Sequence, residues 1–221
     1  MLVRTLHFNQ SWAADGSSHI HERLRNVYSA KGSFSPWALV CRLYLQQPKT
    51  ASSSLDQVEQ PAQKARHLYV LNSDESTAYS LLVDSDRSVF LKSGSELETI
   101  ISKLKASWAS RQAIRIDGLV YSLPNTNIII KLGTLTIGTM SKGILLEVIV
   151  DGCQSDSESL MQIKSILQKL FSDISGYSAL NLDAAVSKTL DLTGVEWLGK
   201  ESSEDAYSSL TIMKLCDKLL S

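Results

Sequence analysis

The distribution of hydrophobic and polar positions predicts eight short strands. These stretches are mostly apolar, rich in β-branched and aromatic residues, and separated by polar or turn-forming residues. Strands that follow one another this closely predict an α+β fold, a mostly antiparallel eight-stranded β-barrel flanked by helices. The predicted strands are Met1–Phe8, Phe34–Leu45, His67–Leu71, Thr77–Val83, Ser88–Leu91, Arg111–Leu123, Thr126–Gly138 and Gly143–Val150.

Four further stretches repeat apolar residues at the helical period. One helix is predicted to be capped by Ser17 and Ser18 and to run to about Tyr28, and a second to begin with a capping box of Ser95 and Glu98. The other two are Asp156–Phe171 and Glu204–Leu220. The apolar stripes are Ile20, Leu24 and Val27 in the first helix, Leu97, Ile100, Ile101, Leu104 and Trp108 in the second, and Leu160, Ile163, Leu167 and Leu170 in the third.

One segment, at about residues 46–65, is polar and contains two prolines, Pro48 and Pro61. Such a composition predicts a long loop. Thr189–Leu198 is ambiguous. Because no sequence repeat or shift in composition marks a boundary, we predict a single domain over residues 1–221.

The two longest predicted strands form a hairpin that turns at Pro124-Asn125. A two-residue turn places Tyr121 opposite Ile128. In that register both strands move their apolar residues to the other face of the sheet beside Gly118 and Gly133. A bulge or a glycine kink produces this change in strongly coiled sheets, and a sheet covered on both faces would show the same pattern.

Composition and charge exclude several classes of protein. The hydrophobic fraction of 43% argues against a disordered chain, and a net charge of −1 without a basic run argues against direct sequence-specific binding of nucleic acid. Three widely spaced cysteines, Cys41, Cys153 and Cys216, indicate a reducing compartment. The start lacks a secretory pattern, and no apolar stretch approaches the roughly 20 residues that span a bilayer, so we predict a soluble intracellular protein.

The candidate catalytic and metal-binding patterns all have simpler explanations. His19 and His21 are two residues apart on a predicted helix, so they point in different directions. Glu96 and Glu98 resemble the Glu-x-Glu pairs of tunnel-type triphosphatases, but those lie on strands, whereas this pair is predicted in the first turn of a helix, where acidic residues are favoured. No nucleotide-binding or hydrolase motif appears. We therefore predict no catalytic residue, no cofactor and no metal site.

The final predicted helix, Glu204–Leu220, is apolar on two sides. Such a helix needs two neighbours, which would be the sheet of this chain and a partner protein. A helix buried wholly within its own fold would show the same pattern. The candidate partner-binding residues are Tyr207, Leu210, Ile212, Met213, Leu215 and Leu219.

The stretch Ile128–Cys153 carries the most specific motif of the chain. It contains the run Lys131–Gly138, in which lysine, glycine and threonine interrupt the apolar residues, and Gly143 then restarts an apolar strand that ends at Asp151-Gly152-Cys153. With this motif, and with Leu68-Tyr69-Val70, the chain resembles the family of Mediator subunit 20, a head-module subunit of the Mediator complex of RNA polymerase II transcription.

The resemblance implies an eight-stranded β-barrel flanked by helices and without catalytic carboxylates. It implies a nuclear, non-enzymatic coactivator scaffold that links regulators to the RNA polymerase II initiation machinery. The implied partners are the similarly folded Mediator subunit 18 and the C-terminal helix of Mediator subunit 8. Contact with the TATA-binding protein has also been proposed for the family.

The residues by themselves define no function and leave two other classes open. A barrel enzyme of the triphosphatase type, acting on phosphate anhydrides, would need several inward carboxylates, and the predicted strands offer mainly Asp117 and Glu147. A small-ligand carrier would need a hollow barrel, whereas Ile, Leu and Val side chains would fill this one.

Overall fold

The computed structural model describes residues 2–26, 34–47, 66–72, 76–84, 87–151, 156–171, 195–198 and 204–220. Within these ranges there are nine strands and four helices, so the fold is α+β as predicted. The strands are β1 (Leu2–Asn9), β2 (Phe34–Gln46), β3 (His67–Asn72), β4 (Thr77–Val83), β5 (Ser88–Gly94), β6 (Trp108–Ser122), β7 (Ile128–Ile137), β8 (Met140–Val150) and β9 (Val195–Leu198). The helices are α1 (Gln10–Asn26), α2 (Leu97–Lys103), α3 (Asp156–Phe171) and α4 (Glu204–Leu220).

The chain divides into two compact units. The first contains residues 1–39 and 114–191, and the second contains residues 40–113 and 192–221. The strand order is β1-β8-β7-β6 in the first unit and β2-β3-β4-β5-β9 in the second. The unit boundaries divide two strands, because residues 34–39 of β2 belong to the first unit and residues 108–113 of β6 belong to the second. The described pairs are antiparallel in both units, except that β9 runs parallel to β5.

The predicted eight-stranded closed barrel is not confirmed. The pairings described within each unit form open ladders, and β9 adds a ninth strand from the stretch whose sequence pattern was ambiguous. At four residues, β9 is too short to show a period of its own. The single domain over residues 1–221 stays a prediction, and most of the predicted loop at residues 46–65 lies outside the described residues.

In the first unit, α1 and α3 cover one face of the sheet. Ile20 and Leu24 of α1 are fully buried, as are Ile163 and Leu167 of α3, in one cluster with alternate residues of β7 and β8. The predicted stripes of both helices therefore face the core. The predicted start of α1 is wrong, because α1 follows β1 directly at Gln10 and the two serines lie inside it. Val27 lies outside the described residues.

The register of the β6–β7 hairpin differs from the predicted one by two residues. Tyr121 pairs with Ile130, because the chain turns through four residues rather than two. Asn125 takes a left-handed conformation in this turn (φ 58°), and the Thr126 hydroxyl donates a hydrogen bond to the carbonyl oxygen of Leu123 at 3.0 Å. A shift of two residues keeps every side chain on its predicted face.

The predicted change of buried face beside Gly118 and Gly133 is confirmed. Near the turn Tyr121 and Ile130 are buried on one face, and beyond the two glycines Ile116 and Leu135 are buried on the other. The two glycines lie opposite each other, and the described β6–β7 ladder passes them without a bulge. The change therefore does not depend on a bulge at these glycines.

A β-bulge lies instead between β7 and β8. Thr136 pairs with Ser141 but Leu135 pairs with Gly143, so Lys142 is an extra residue on β8. Gly143 has φ 135°, a conformation that side-chain-bearing residues rarely adopt. The glycine that restarts the apolar strand in the sequence motif is therefore required by the backbone of the bulge.

In the second unit, α4 and α2 lie on opposite faces of β3. Tyr69 contacts α4, whereas Val70, the next residue, packs with Ile101 of α2. The predicted capping box at the start of α2 is wrong. The helix begins at Leu97 after Glu96, with no hydrogen bond from a capping side chain, and Glu98 pairs with Arg42 instead. None of the helices in the described ranges is long and apolar enough to cross a bilayer.

Candidate partner-binding site

The C-terminal helix α4 packs against β3 and β4 through one continuous face. Ala206, Leu210, Met213 and Cys216 are buried along this face, at spacings of three and four residues. The sheet presents the large aromatic side chains of Tyr69 and Tyr79 on adjacent strands, both buried. The sequence places small or apolar side chains on α4 at this period, so the helix fits closely on the sheet.

Polar contacts fix the position of α4 along the sheet. The Tyr69 hydroxyl donates a hydrogen bond to Asp217 Oδ1 at 2.7 Å, and Lys214 Nζ donates to Ser88 Oγ at 3.4 Å. Burial is the largest cause that raises the pKa of Tyr69, and the hydrogen bond to Asp217 raises it further. The phenol therefore stays a hydrogen-bond donor across the physiological pH range.

Two buried thiols meet beneath the same helix. The side chains of Cys41 on β2 and Cys216 on α4 are hydrogen-bonded, and both residues are fully buried. This contact, together with burial, raises the pKa of the Cys41 thiol. Buried thiols behave as small apolar groups, so this pair contributes packing rather than a nucleophile.

The six candidate partner-binding residues divide into two groups. Leu210, Ile212 and Met213 are buried within this chain. Tyr207 is 45% exposed, and Leu215 and Leu219 are half-buried. The partner contact stays a prediction. A partner can reach Tyr207, Leu215 and Leu219 without displacing α4.

The carboxylates of the enzymatic alternative are either exposed or paired with a cation of the same unit. Glu98 Oε1 lies 2.8 Å from Arg42 Nε, and Glu96 and Asp117 are exposed. Glu147 is fully buried, and its Oε2 lies 2.9 Å from Lys131 Nζ, which itself lies 5.9 Å from the centre of the Trp37 ring. Because their close partners are cations, Glu98 and Glu147 are held as ion pairs.

The buried pair Lys131–Glu147 is a feature that the sequence analysis missed. The bulge at Lys142 shifts the β7–β8 register by one residue and places Lys131 opposite Glu147; without it, Lys131 would face Leu146. The available signal was the lysine of the motif and the single glutamate of the apolar strand after Gly143. The motif thus encodes a bulge and the ion pair that the bulge aligns.

The two histidines of α1 lie in different surroundings. His19 is exposed, and His21 is half-buried with Nδ1 hydrogen-bonded to the Tyr121 hydroxyl. Burial, and secondly Arg25, lowers the pKa of His21. No group of three or more metal-ligating side chains occurs in the part of the chain that the structure describes. Cys153 lies outside that part.

Comparison with known proteins gives one match over most of the chain. A family model described as Med20, "TATA-binding related factor (TRF) of subunit 20 of Mediator complex", matches residues 1–207. The sequence matches no curated protein.

Solved structures give only distant likenesses. The PH1012 protein of Pyrococcus horikoshii OT3 is 11% identical with a TM-score of 0.41, covering 76% of this chain and 90% of that one. The Schizosaccharomyces pombe Mediator head module is 11% identical with a TM-score of 0.35, covering 78% of this chain and 94% of that one. The S. pombe Pct1 RNA triphosphatase, in complex with the Spt5 CTD, is 12% identical with a TM-score of 0.32, covering 85% of this chain and 78% of that one. These TM-scores are too low to support an argument about fold or function.

Proposed function

Since the chain belongs to the Med20 family of Mediator subunits, we propose that it acts in the nucleus as a non-enzymatic head-module subunit of Mediator. In this role it is a scaffold that links regulators to the RNA polymerase II initiation machinery. The observation that carries the proposal is the match of the family model to residues 1–207. The closed eight-stranded barrel that the resemblance implies is part of the same proposal.

The arrangement of carboxylates supports the non-enzymatic part of this proposal. A triphosphatase needs several carboxylates that converge on a metal ion, and here Glu98 and Glu147 each contact a cation of the same chain. We expect purified protein to release no phosphate from a nucleoside triphosphate in the presence of Mn²⁺. Release that Glu98→Ala abolishes without unfolding the protein would contradict this.

The proposed partners are Mediator subunit 18, as a barrel heterodimer, and the C-terminal helix of subunit 8, with the TATA-binding protein as a further contact. For the surface, we propose Tyr207, Leu215 and Leu219 of α4. They are large apolar side chains that the sheet of this chain leaves partly exposed. Aromatic side chains such as that of Tyr207 are common anchors of protein interfaces, and apolar neighbours such as the two leucines exclude water around them.

Co-expression with subunit 18 tests this pairing. We expect the partner to co-purify with the chain and to raise its melting temperature, because a ligand that binds only the folded state stabilises it. A variant with serine at Tyr207, Leu215 and Leu219 should lose the partner and keep its own fold. The control is Lys218→Glu, an exposed change on the same helix. A monodisperse monomer, equally stable with and without subunit 18, would overturn the pairing.

A further inference from the structure

A groove lies between α3 and the turn that connects β6 to β7. It encloses about 520 Å³, which falls within the range of roughly 300–1,000 Å³ that is usual for ligand-binding sites. The turn and the end of β8 form one wall, and α3 forms the other. Every residue that lines the groove belongs to the first unit, so the groove is a feature of that unit alone.

Both walls of the groove are held in place within the unit. The backbone N–H of Leu123 donates to the carbonyl oxygen of Ile128 at 3.0 Å, which closes the turn. The N–H of Asp151 donates to the carbonyl oxygen of Asn127 at 2.9 Å, which attaches the end of β8 to the turn. On the other wall, α3 is anchored by its buried stripe. Because these walls are ordered before a ligand binds, binding costs little conformational entropy.

The α3 wall carries charges of opposite sign at its two ends. Four polar side chains follow one another along one side of the helix, because they are spaced four, three and four residues apart. They are Glu158, Gln162, Ser165 and Lys169. Glu158 lies in the first turn of α3 and Lys169 in the last, and both are exposed. The groove is thus acidic near the start of the helix and basic near its end, roughly 16 Å away by the helical rise per residue.

Besides these charges the groove offers amides and a small apolar floor. Asn125 and Asn127 line it from the turn, and Gln162 lines it from α3. Each amide side chain carries both a donor and an acceptor, the same pair that a peptide group presents. The floor consists of mostly buried apolar side chains, Leu123, Ile128 and Ile166. Such a lining suits a peptide main chain that places one apolar side chain on the floor.

Other classes of ligand fit this lining less well. A phosphate or a nucleotide would meet the carboxylates of Asp151 and Glu158, and Lys169 is the one cation of the lining. A wholly apolar ligand would cover the amides without giving them a hydrogen-bond partner, which costs free energy. An extended peptide with charges of opposite sign at its ends satisfies both the amides and the charges.

We propose that this groove binds an extended segment of a partner protein, about five residues long. The length follows from the roughly 16 Å between the two charged ends and the strand rise of about 3.3 Å per residue. A Lys or Arg of the segment lies beside Glu158, an apolar residue lies over the floor, and an Asp or Glu lies beside Lys169.

The inference rests on the proposed scaffold role, for which it names a class of partner. Its failure is distinguishable from failure of that role, because peptide binding is measured with the purified chain alone. Assembly into Mediator is measured separately, in nuclear extract.

The test is an NMR titration of the isotope-labelled full-length chain with the synthetic peptide Lys-Ala-Leu-Ala-Glu, capped at both ends. The matched peptide has Gln at both charged positions. We expect the charged peptide to shift the side-chain amide resonances of Asn125, Asn127 and Gln162. At low salt it should bind about fivefold more tightly than the matched peptide, as two exposed ion pairs allow. Equal binding of the two peptides, or shifts confined to residues outside the groove, would overturn the proposal.

A change of charge on the α3 wall tests the match between groove and segment. Lys169→Glu should weaken binding of the charged peptide by about fivefold and make a peptide with Lys at both ends the tighter ligand. Gln168→Glu is the matched control, because it places a carboxylate on an exposed neighbouring residue that does not line the groove. It should leave the preference for the Lys-Ala-Leu-Ala-Glu peptide in place.

A Lys169→Glu chain that keeps its melting temperature and also keeps the wild-type preference would contradict the proposal. If this variant does not fold, the comparison of the two peptides on the wild-type chain decides the question, because it needs no substitution.

Discussion

Two regions of the molecule contain the same kinds of feature but differ in how far these features are buried. The hairpin region consists of β6, β7 and β8 with α1 and α3, and the α2 region consists of Gly94–Trp108 with Arg42. Each contains an amphipathic helix, a carboxylate–cation pair and a glycine close to other atoms. In the hairpin region these features are buried, whereas in the α2 region they are partly exposed. The difference indicates that the first region contributes more to the stability of the fold than the second.

The ion pairs should show the largest difference. Lys131→Met leaves the fully buried Glu147 carboxylate without its cation, and we expect a loss of about 3–5 kcal/mol in the free energy of unfolding. Arg42→Met breaks a pair whose arginine side chain is 43% exposed, and should cost about 1 kcal/mol or less. Chemical denaturation measures both. Equal losses would remove the contrast between the regions.

The helix stripes provide the second comparison. Leu167 of α3 is fully buried, so Leu167→Ala should cost about 2–5 kcal/mol through lost burial and the cavity that remains. Leu104, the C-cap of α2, is 47% exposed, and Leu104→Ala should change stability by no more than about 0.5 kcal/mol. A large effect at Leu104 would mean that the stripe of α2 is covered in the folded chain.

The glycines provide a third and smaller comparison. A Cβ atom on Gly133 would lie 2.8 Å from Ile116 Cγ2 and 3.2 Å from the Trp37 ring, so Gly133→Val should destabilise by about 1–3 kcal/mol. A Cβ on Gly94 would meet only the end of the flexible Glu96 side chain, which can move. Gly94→Ala should therefore stay within about 0.5 kcal/mol. A stabilising effect of valine at 133 would show that the strand has room for its side chain.

The smallest expected effect is a pH dependence confined to the hairpin region. Burial of His21 lowers its pKa below the ordinary value of 6.5, so below that pH the unfolded chain binds more protons than the folded chain. Stability should therefore fall as the pH drops through 6.5 towards the lower folded-state pKa. His21→Gln should flatten this fall between pH 7.5 and 5.5 in urea titrations, with His19→Gln as the matched control. An unchanged slope would count against burial of His21.

Local sequence patterns were enough to predict most elements. Thr77–Val83 is a strand with the predicted ends, and the stripes of Asp156–Phe171 and of the first helix are buried as expected. The family motif was also sufficient for recognition, since the family model covers residues 1–207. These features depend on periodicity and on residue type, which a sequence carries directly.

Features that depend on a neighbouring element were not predictable. One extra residue at Lys142 decides whether Lys131 faces Glu147, and no periodicity marks a single-residue bulge. The stripes of α2 and α3 both follow the helical period, but this period does not say which element covers each stripe. For the same reason the sequence could not separate Leu210 and Met213, which pack inside the chain, from the exposed Tyr207.

The most direct test of the central claim is affinity purification of the tagged chain from native nuclear extract, followed by mass spectrometry. We expect Mediator head subunits, with subunits 18 and 8 among them, in amounts comparable to the chain itself. The variant with serine at Tyr207, Leu215 and Leu219 should recover fewer of them. A wild-type chain that is folded, nuclear and free of Mediator subunits would contradict the assignment of this protein as a Mediator scaffold.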